Sequence, residues 1–547
     1  MKMNKHSILP LTLVTVTVCL APAFGHTEIV TSGEARQVAN NWLAFVVERD
    51  GEWAGSTHPS LLSVNEINDG EMLLGYYAAV KPQGYIIVSS TKYFPPILAY
   101  SYSCNLNVDS ELGLFAFSKA ILRVRIESLI TNKSSRKELL IEGIPGPPTE
   151  DIRLTWSYLM QEEEDLSSQL YSISPSATLK VGPLLKTEWH QGPPYNERCP
   201  IPDISCSYPS YPGCDNQHAL VGCVPLAVAQ VMRYYCWPPI NPWLFEYDWP
   251  NILTKYSWDV TNKRFLGPDG LPCTQRQIDA VAELCSNAGY YIVWDYECAR
   301  TGAVVTSWFL YDARDVLEDK FWYSNPEEDE PGVEERDSYT FDEWWNIIKA
   351  EIDNNRPVIY QIADAAVLLH DFAHCIVLDG YDSSVGYYMV HANYGWDCEL
   401  GNEGWFDRMV FYCDSRCPMD DNDENGQIDE GDICSWDEEE MIYRIYPRTA
   451  LPSSFSGDLH PILSWVFNYN MPYYIYQNVV CFNTTIKAGV RIQFLPGTKL
   501  SSSNSILVHG QAGEGTRFFS KGDTSYGLKL NGGGMMRFHS GGEIRMQ

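Results

Sequence analysis

Two things are scarce in this 547-residue sequence: positive charge and long apolar runs. Lys and Arg number 39 against 70 Asp and Glu, a formal net charge of −31. A field of that sign repels phosphate backbones and anionic headgroups, which argues against nucleic-acid binding and against adsorption to an anionic membrane surface. Beyond the N-terminal segment no stretch offers ~20 uninterrupted apolar residues, so no membrane span is expected. The early apolar run from Ile8 to Leu20 is short; it follows Lys2 and Lys5 and precedes Ala23-Phe24-Gly25. A basic start, a short apolar core and a small-x-small site describe a signal peptide over residues 1–25, and hence a secreted protein, extracellular or at the cell surface.

Cysteine, by contrast, is plentiful. Sixteen are present, and loss of Cys19 with the signal leaves fifteen, an odd number that flags one free thiol in an exported chain. If Cys223 is that thiol, some of the others are expected to pair in an oxidising compartment. With 45% hydrophobic residues there is ample apolar content for more than one core.

Periodicity divides the mature chain. Residues 26–145 read as a small α+β domain. Val38, Trp42, Phe45 and Val46 share one face of a helix over 35–49, strands follow at 73–80, 84–89 and 97–102, and a second helix is expected over 114–131. Gly143-Ile144-Pro145-Gly146-Pro147-Pro148 marks a turn-rich boundary, and the polar stretch 146–178, with Glu162-Glu163-Glu164-Asp165, reads as an exposed linker open to proteolysis. Residues 179–450 form the largest block, with helices expected over 223–235, 275–288, 308–321 and 342–354 and then strands at 358–361, 374–379 and 387–393. Helices first and sheet second suggest two packed layers with a cleft between them. From 451 to 547 helical periodicity gives way to short apolar runs separated by Gly-containing turns, an all-β module with a β-solenoid and an irregular β-sandwich as its two readings.

The chemistry centres on Gly222-Cys223-Val224-Pro225-Leu226-Ala227, where a cysteine opens an apolar helix with Pro225 in its first turn. Peptide dipoles and free N–H groups at a helix start favour the thiolate, the nucleophilic form. A cysteine nucleophile needs a base and something to orient it. His374 opens an apolar strand, and a hairpin centred between Ser383 and Ser384 would set it opposite Asn393, whose side-chain oxygen could accept from the imidazole. His190 and His218 are competing bases near the cleft; His370 sits in a turn, and His391 has no evident orienting partner. The Cys223 N–H and the Gln191 amide are candidate oxyanion donors, and Trp396 a shield for the His–Asn bond.

These residues fall into ordered motifs: Trp-x-Gln-x-x-Pro-Tyr-Asn from Trp189, Gln-His-Ala-x-x-Gly-Cys-Val from Gln217, Ala-x-Ala-Gln-x-Met from Ala227, His-x-x-x-x-Asp-Gly from His374 and Asn-x-Gly-Trp from Asn393. The set resembles the streptopain-like cysteine peptidases, which have a papain-like fold, across residues 179–450. Residues 26–145, notably Gly84-Tyr85-Ile86-Ile87-Val88 and Pro95-Pro96-Ile97-Leu98, resemble the propeptide of these zymogens. The resemblance implies Cys223 as nucleophile, His374 as base, Gln191 as oxyanion donor, and Asn393 with Trp396 as the orienting pair. It also implies protein or peptide substrates, the chain's own prodomain as inhibitor, and no cofactor for catalysis. Departures lie at Ala373, at Tyr394 and in Asp397-Cys398-Glu399, where the family favours glycine, tryptophan and a glycine-rich run.

A second motif runs from Asp421 to Asp432. Asp421, Asp423, Asn425, Asp429 and Asp432 offer oxygen ligands at alternating positions, Gly426 permits the turn, and the Gln427 carbonyl completes the set. That pattern predicts a structural Ca2+ loop of the EF-hand and dockerin kind. The sequence therefore predicts an α+β, papain-like endopeptidase made as a zymogen. The alternatives are an acyl-transferring relative, or an adhesive protein whose C-terminal β module anchors it to a cell surface or polymer.

Overall fold

The computed structural model describes residues 29–108, 150–161 and, with short gaps, 180–323, 332–362, 374–407 and 440–445. It adds isolated residues between 115 and 126 and the backbone of strands from 472 onward. The helix expected over 114–131 lies largely outside the described residues, as does most of the 146–178 linker.

The N-terminal unit opens with α1, Ser32–Asp50. Thr31 and Glu34 close a capping box at its start, and Gly51 ends it in the left-handed region at φ 89°. The predicted stripe Val38, Trp42, Phe45 and Val46 is buried. A meander follows: β1 Ser60–Asp69, β2 Met72–Lys81, β3 Tyr85–Ser89 and β4 Ile97–Ser101. Strand β1 escaped the sequence reading because it is the sheet's outer edge and only Ile67 along it is buried, so it lacks a clean apolar alternation. The short helix α2, Glu150–Leu159, returns to this unit; Asn41 donates to the Leu159 carbonyl at 2.9 Å and Trp156 to the Phe94 carbonyl at 2.8 Å.

The larger unit begins with β5, Lys180–Val181, and α3, Cys223–Tyr235. Two small hairpins surround α4, Gln275–Gly289, which carries a Thr274/Gln277 capping box: β6 Ser257–Asp259 with β7 Arg264–Leu266, and β8 Asp295–Tyr296 with β9 Thr301–Gly302. The helix expected over 308–321 is not continuous. Its described part is one α turn, Ala313–Asp315, running into a π turn, Val316–Lys320. Then come β10 Gly332–Glu335, α5 Phe341–Asp353, β11 Val358–Ile362, β12 His374–Asp382, β13 Met389–Asn393, β14 Glu403–Asp407 and β15 Glu440–Tyr443.

The two units share one sheet, in the order β1-β2-β3-β4-β14-β13-β12-β11-β15-β10, with β5 on β12. Alternation along its strands separates two cores. Ile359, Cys375 and Val377 face α3 and α4, whereas Val358, Tyr360, Ile376 and Leu378 face Trp344, Trp345, Ile348 and Ile352 of α5. Helix α1 covers Tyr76, Ala78, Ile86 and Val88 together with Met389 and Trp405 of the larger unit. Beyond residue 471 the pairing is parallel: Pro472–Ile475, Arg491–Phe494, Arg517–Ser520 and Arg545–Met546 form one ladder, and Val479–Ile486 and Lys499–His509 lead a second.

The seam between the units is β4 on β14, with Tyr100 opposite Trp405 and Ala99 opposite Phe406. The Tyr100 and Trp405 rings stack at 6.2 Å. Beside them Arg49 of α1 reaches Asp382 of β12 at 2.5 Å and Ser384 Oγ at 3.1 Å, and Lys180 binds Asp50 at 2.6 Å while lying over the Trp405 ring. Asp382 is fully buried, so removing its cation strands a charge. Arg49→Ala is expected to lower stability by ~3–5 kcal/mol, measured as a shift of the urea midpoint. A loss under ~1 kcal/mol would place this pair with exposed ion pairs that contribute little.

Candidate active site

Helix α3 presents Cys223 as its first residue. Gly222 caps it without a side-chain hydrogen bond, so the N–H groups of the first turn are not occupied by a cap. Gly222 is held at φ +95°, and a Cβ there would meet Thr301 Cγ2 at 3.0 Å, so both backbone and space select glycine. The Cys223 sulfur receives backbone N–H groups of Cys375, Val224 and Cys223 itself. Cys375 is the residue after His374, so the nucleophile of the helical layer touches the strand that carries the histidine.

The helix start was expected to favour thiolate. Burial outweighs it: the Cys223 thiol is pushed above its ordinary value despite the opposing N–H groups. His374 is buried as well, and burial pulls its imidazole down to about 4, against a hydrogen bond to the Tyr394 carbonyl. Near neutral pH the His374 imidazole is therefore uncharged in this structure, and desolvation works against the thiolate at the half-buried Cys223.

The hairpin register differs from expectation. Asn393 lies opposite Val377, a bulge between Leu378 and Gly380 shifts the ladder, and His374 pairs with Ile362 on the other side. Asn393 accordingly makes no bond to the imidazole here. Its Oδ1 accepts from the Gly395 N–H at 3.0 Å and from Gln230 Nε2 at 3.2 Å, while its Nδ2 donates to the Thr187 carbonyl at 2.7 Å. His374 Nε2 donates instead to the Tyr394 carbonyl at 2.8 Å, which leaves Nδ1 as the acceptor nitrogen. Asn393 thus shapes the turn that presents the carbonyl. Gly395 completes that turn at φ +63°, where a Cβ would meet Leu226 of α3 at 2.6 Å.

Trp396 packs flat on the imidazole, ring centroids 4.1 Å apart and planes at 18°. It covers the ring itself rather than a His–Asn bond. Gln191 contributes its carbonyl to the Val221 N–H at 3.0 Å, which ties its loop to the segment entering α3. Gln230, on the buried face of α3, also accepts from Thr187 Oγ1 at 2.7 Å and joins helix, lead-in segment and Asn393 turn.

The competing histidines are committed elsewhere. His190 Nδ1 accepts from the Gly192 N–H at 3.2 Å, and its Nε2 bonds Tyr211 Oη at 2.7 Å, which donates to Asp397 at 2.7 Å. His218 Nδ1 bonds the Cys199 carbonyl. His391, for which the sequence offered no partner, has one: Asp379 at 2.6 Å, whose charge overrides burial and raises the imidazole. His370 lies outside the described residues. So does the predicted calcium loop, Asp421 to Asp432; among the described residues no group of His, Cys, Asp or Glu is arranged to hold a metal.

Sequence reasoning missed the Tyr394 carbonyl, Gln230, Tyr211 and the Cys375 N–H. Backbone donors and acceptors leave no residue-type signal; the Ala-x-Ala-Gln motif was the one available hint of Gln230.

Residues 189–406 match the Peptidase C10 family, and residues 27–121 match the family described as Spi protease inhibitor. Streptopain of Streptococcus pyogenes is 23% identical over 390 residues, covering 66% of this chain and 81% of that protein. Thiol protease/hemagglutinin PrtT of Porphyromonas gingivalis is 23% identical over 375 residues, covering 67% of this chain and 37% of that protein. Among solved structures, a Prevotella intermedia prointerpain A fragment aligns with TM-score 0.44 at 18% identity, over 71% of this chain and all of that one.

Because the ordinary imidazole value is 6.5 and the folded one about 4, His374 contributes stability that is present above about pH 6.5 and lost as pH falls towards 4. Trp396→Ala opens the ring to water and is expected to raise the His374 value towards 6.5, followed by NMR titration of its ring protons. An unchanged value would show that Trp396 does not set the burial.

Proposed function

We propose, for a chain that is a streptopain-like cysteine peptidase with its own propeptide, that Cys223 and His374 are the catalytic pair and that the described form is the latent zymogen. The observation that carries the assignment is the approach of the two layers at one point. The Cys223 sulfur on α3 takes the N–H beside His374, and His374 offers Nδ1 as acceptor because Nε2–H is held by the Tyr394 carbonyl.

In the reaction the Cys223 proton passes to His374, and the thiolate attacks the carbonyl carbon of a peptide bond. The developing oxyanion lies at the α3 start, where the Cys223 N–H and the Gln191 side chain are its donors. The imidazolium gives its proton to the leaving amine, and water then hydrolyses the thioester, with His374 again as base. No step calls for a metal or redox cofactor. Asn393, through Gly395 and Gln230, and Trp396, through its stacking, are positioning residues for His374.

Latency follows from charge. A thiol beside a neutral imidazole is a poor nucleophile: His374 is buried and neutral near pH 7, and desolvation works against the thiolate at the half-buried Cys223. The inhibitory unit is residues 26–145, whose Tyr77, Tyr85 and Ile87 share a core with Tyr394 and its neighbour Trp396. Of the 146–178 stretch expected as linker, Glu150–Leu159 packs as a helix on the N-terminal unit, so residues 162–178 are the activation linker, 179–450 the catalytic domain and 451–547 a separate β module, for which parallel pairing between alternate strands supports the solenoid reading. The leader over residues 1–25 supports export.

The test is intact mass after a thiol-directed peptidyl epoxide is added, before and after limited proteolysis of the linker. One adduct gained only after proteolysis, and lost in Cys223→Ser, is expected. No adduct on the processed, reduced protein would overturn the assignment.

A further inference from the structure

The N-terminal unit contains one cysteine, Cys104, because residues 26–178 have no other. It lies three residues beyond β4, is 1% exposed, and is disulfide-bonded. Its partner therefore lies outside the unit. The cysteines described in the larger unit are accounted for: Cys206 and Cys298 bond each other, and Cys199, Cys214, Cys223, Cys236, Cys273, Cys285 and Cys375 are free thiols. What remains is Cys19 in the leader and, downstream, Cys398, Cys413, Cys417, Cys434 and Cys481.

Geometry favours the downstream set. Strand β4 is the seam with the larger unit, and it runs antiparallel to β14, so the chain leaving β4 travels towards the segment that enters β14. Ser103, next to Cys104, bonds the side chain of Glu403, the first residue of β14. Cys398 stands five residues before Glu403 in the sequence, closest of the downstream cysteines to that contact.

We propose that the Cys104 disulfide is a covalent tether between the propeptide and the catalytic part of the chain, so that activation takes a cut and a reduction. A cut in the linker leaves two chains that still share the β4–β14 ladder, the Arg49–Asp382 pair and an S–S bond. A thiol reductant, either a dithiol or two equivalents of a small thiol, completes release. One reductant thiolate attacks a sulfur of the bridge, forming a mixed disulfide and expelling the other sulfur as thiolate. A second reductant thiol then displaces the mixed disulfide. Two electrons and two protons pass to the two protein sulfurs, and the reductant leaves oxidised. The same reductant keeps the Cys223 thiol reduced, so the condition that frees the cleft is the one in which the nucleophile survives. The tether's role rests on the zymogen reading, but its test follows a bond and not an activity, so either can fail alone.

The full-length Cys223→Ser protein, purified without reductant and with free thiols blocked, would be nicked in residues 162–178 and run on a denaturing gel. The expected result is a single species at full mass without reductant and complete separation into two fragments with it. The Cys104→Ser version should separate without reductant. Fragments of the nicked parent that part without reductant would overturn the proposal. Peptide mapping of the unreduced parent decides independently of how Cys104→Ser folds. A Cys104 peptide joined to a cysteine beyond residue 178 supports the tether, and one joined to Cys19, or a free Cys104, overturns it.

Discussion

The structure depends on a ladder of backbone hydrogen bonds between β4 and β14. Through it two units that meet across some three hundred residues of sequence become one sheet, with Tyr100 opposite Trp405 and Ala99 opposite Phe406. Side chains deepen the join. Trp405 takes Tyr100 against its ring and Lys180 over it, and Arg49 crosses to a fully buried carboxylate. A propeptide that completes a sheet is held by main-chain geometry, which specifies alignment, and by a buried ion pair, which penalises any other arrangement.

Burial at this seam also sets the chemistry. Tyr85 of the propeptide packs in the same core as Tyr394, whose carbonyl fixes the His374 ring. Excluding water removes the solvation that would stabilise a thiolate and an imidazolium, and three N–H groups on the sulfur do not compensate. The residues proposed for peptide hydrolysis are brought together where desolvation opposes the charged thiolate–imidazolium form.

How much of this was legible varies with the range of the interaction. Helices α1, α3, α4 and α5 were, because apolar spacing is local. Cys223 at a helix start was legible for the same reason. The pairing of His374 with Asn393 was not, since the last pair before the turn is Asp382 with Met389, which centres the hairpin two residues beyond Ser383–Ser384, and the bulge at Leu378–Gly380 moves the ladder by only one step. Strand β14 went unread because Glu403-Gly404-Trp405-Phe406-Asp407 is short and is defined by its neighbours β13 and β4. A helix start that favours the thiolate can be read from sequence; the desolvation that opposes it at Cys223 cannot.

The seam has a further consequence, in the order of synthesis. Strands β1 to β4 and helix α1 leave the ribosome long before Glu403–Asp407 does, and local contacts let such a unit form early. When the β14 segment arrives it meets a finished edge whose spacing and alignment are already set. A mature chain unfolded after its propeptide has gone has no such template, so the two halves of this sheet are asymmetric in time. The N-terminal half is a finished edge against which the C-terminal half can pair during synthesis, and once it has gone the lifetime of the mature form is governed by its unfolding barrier.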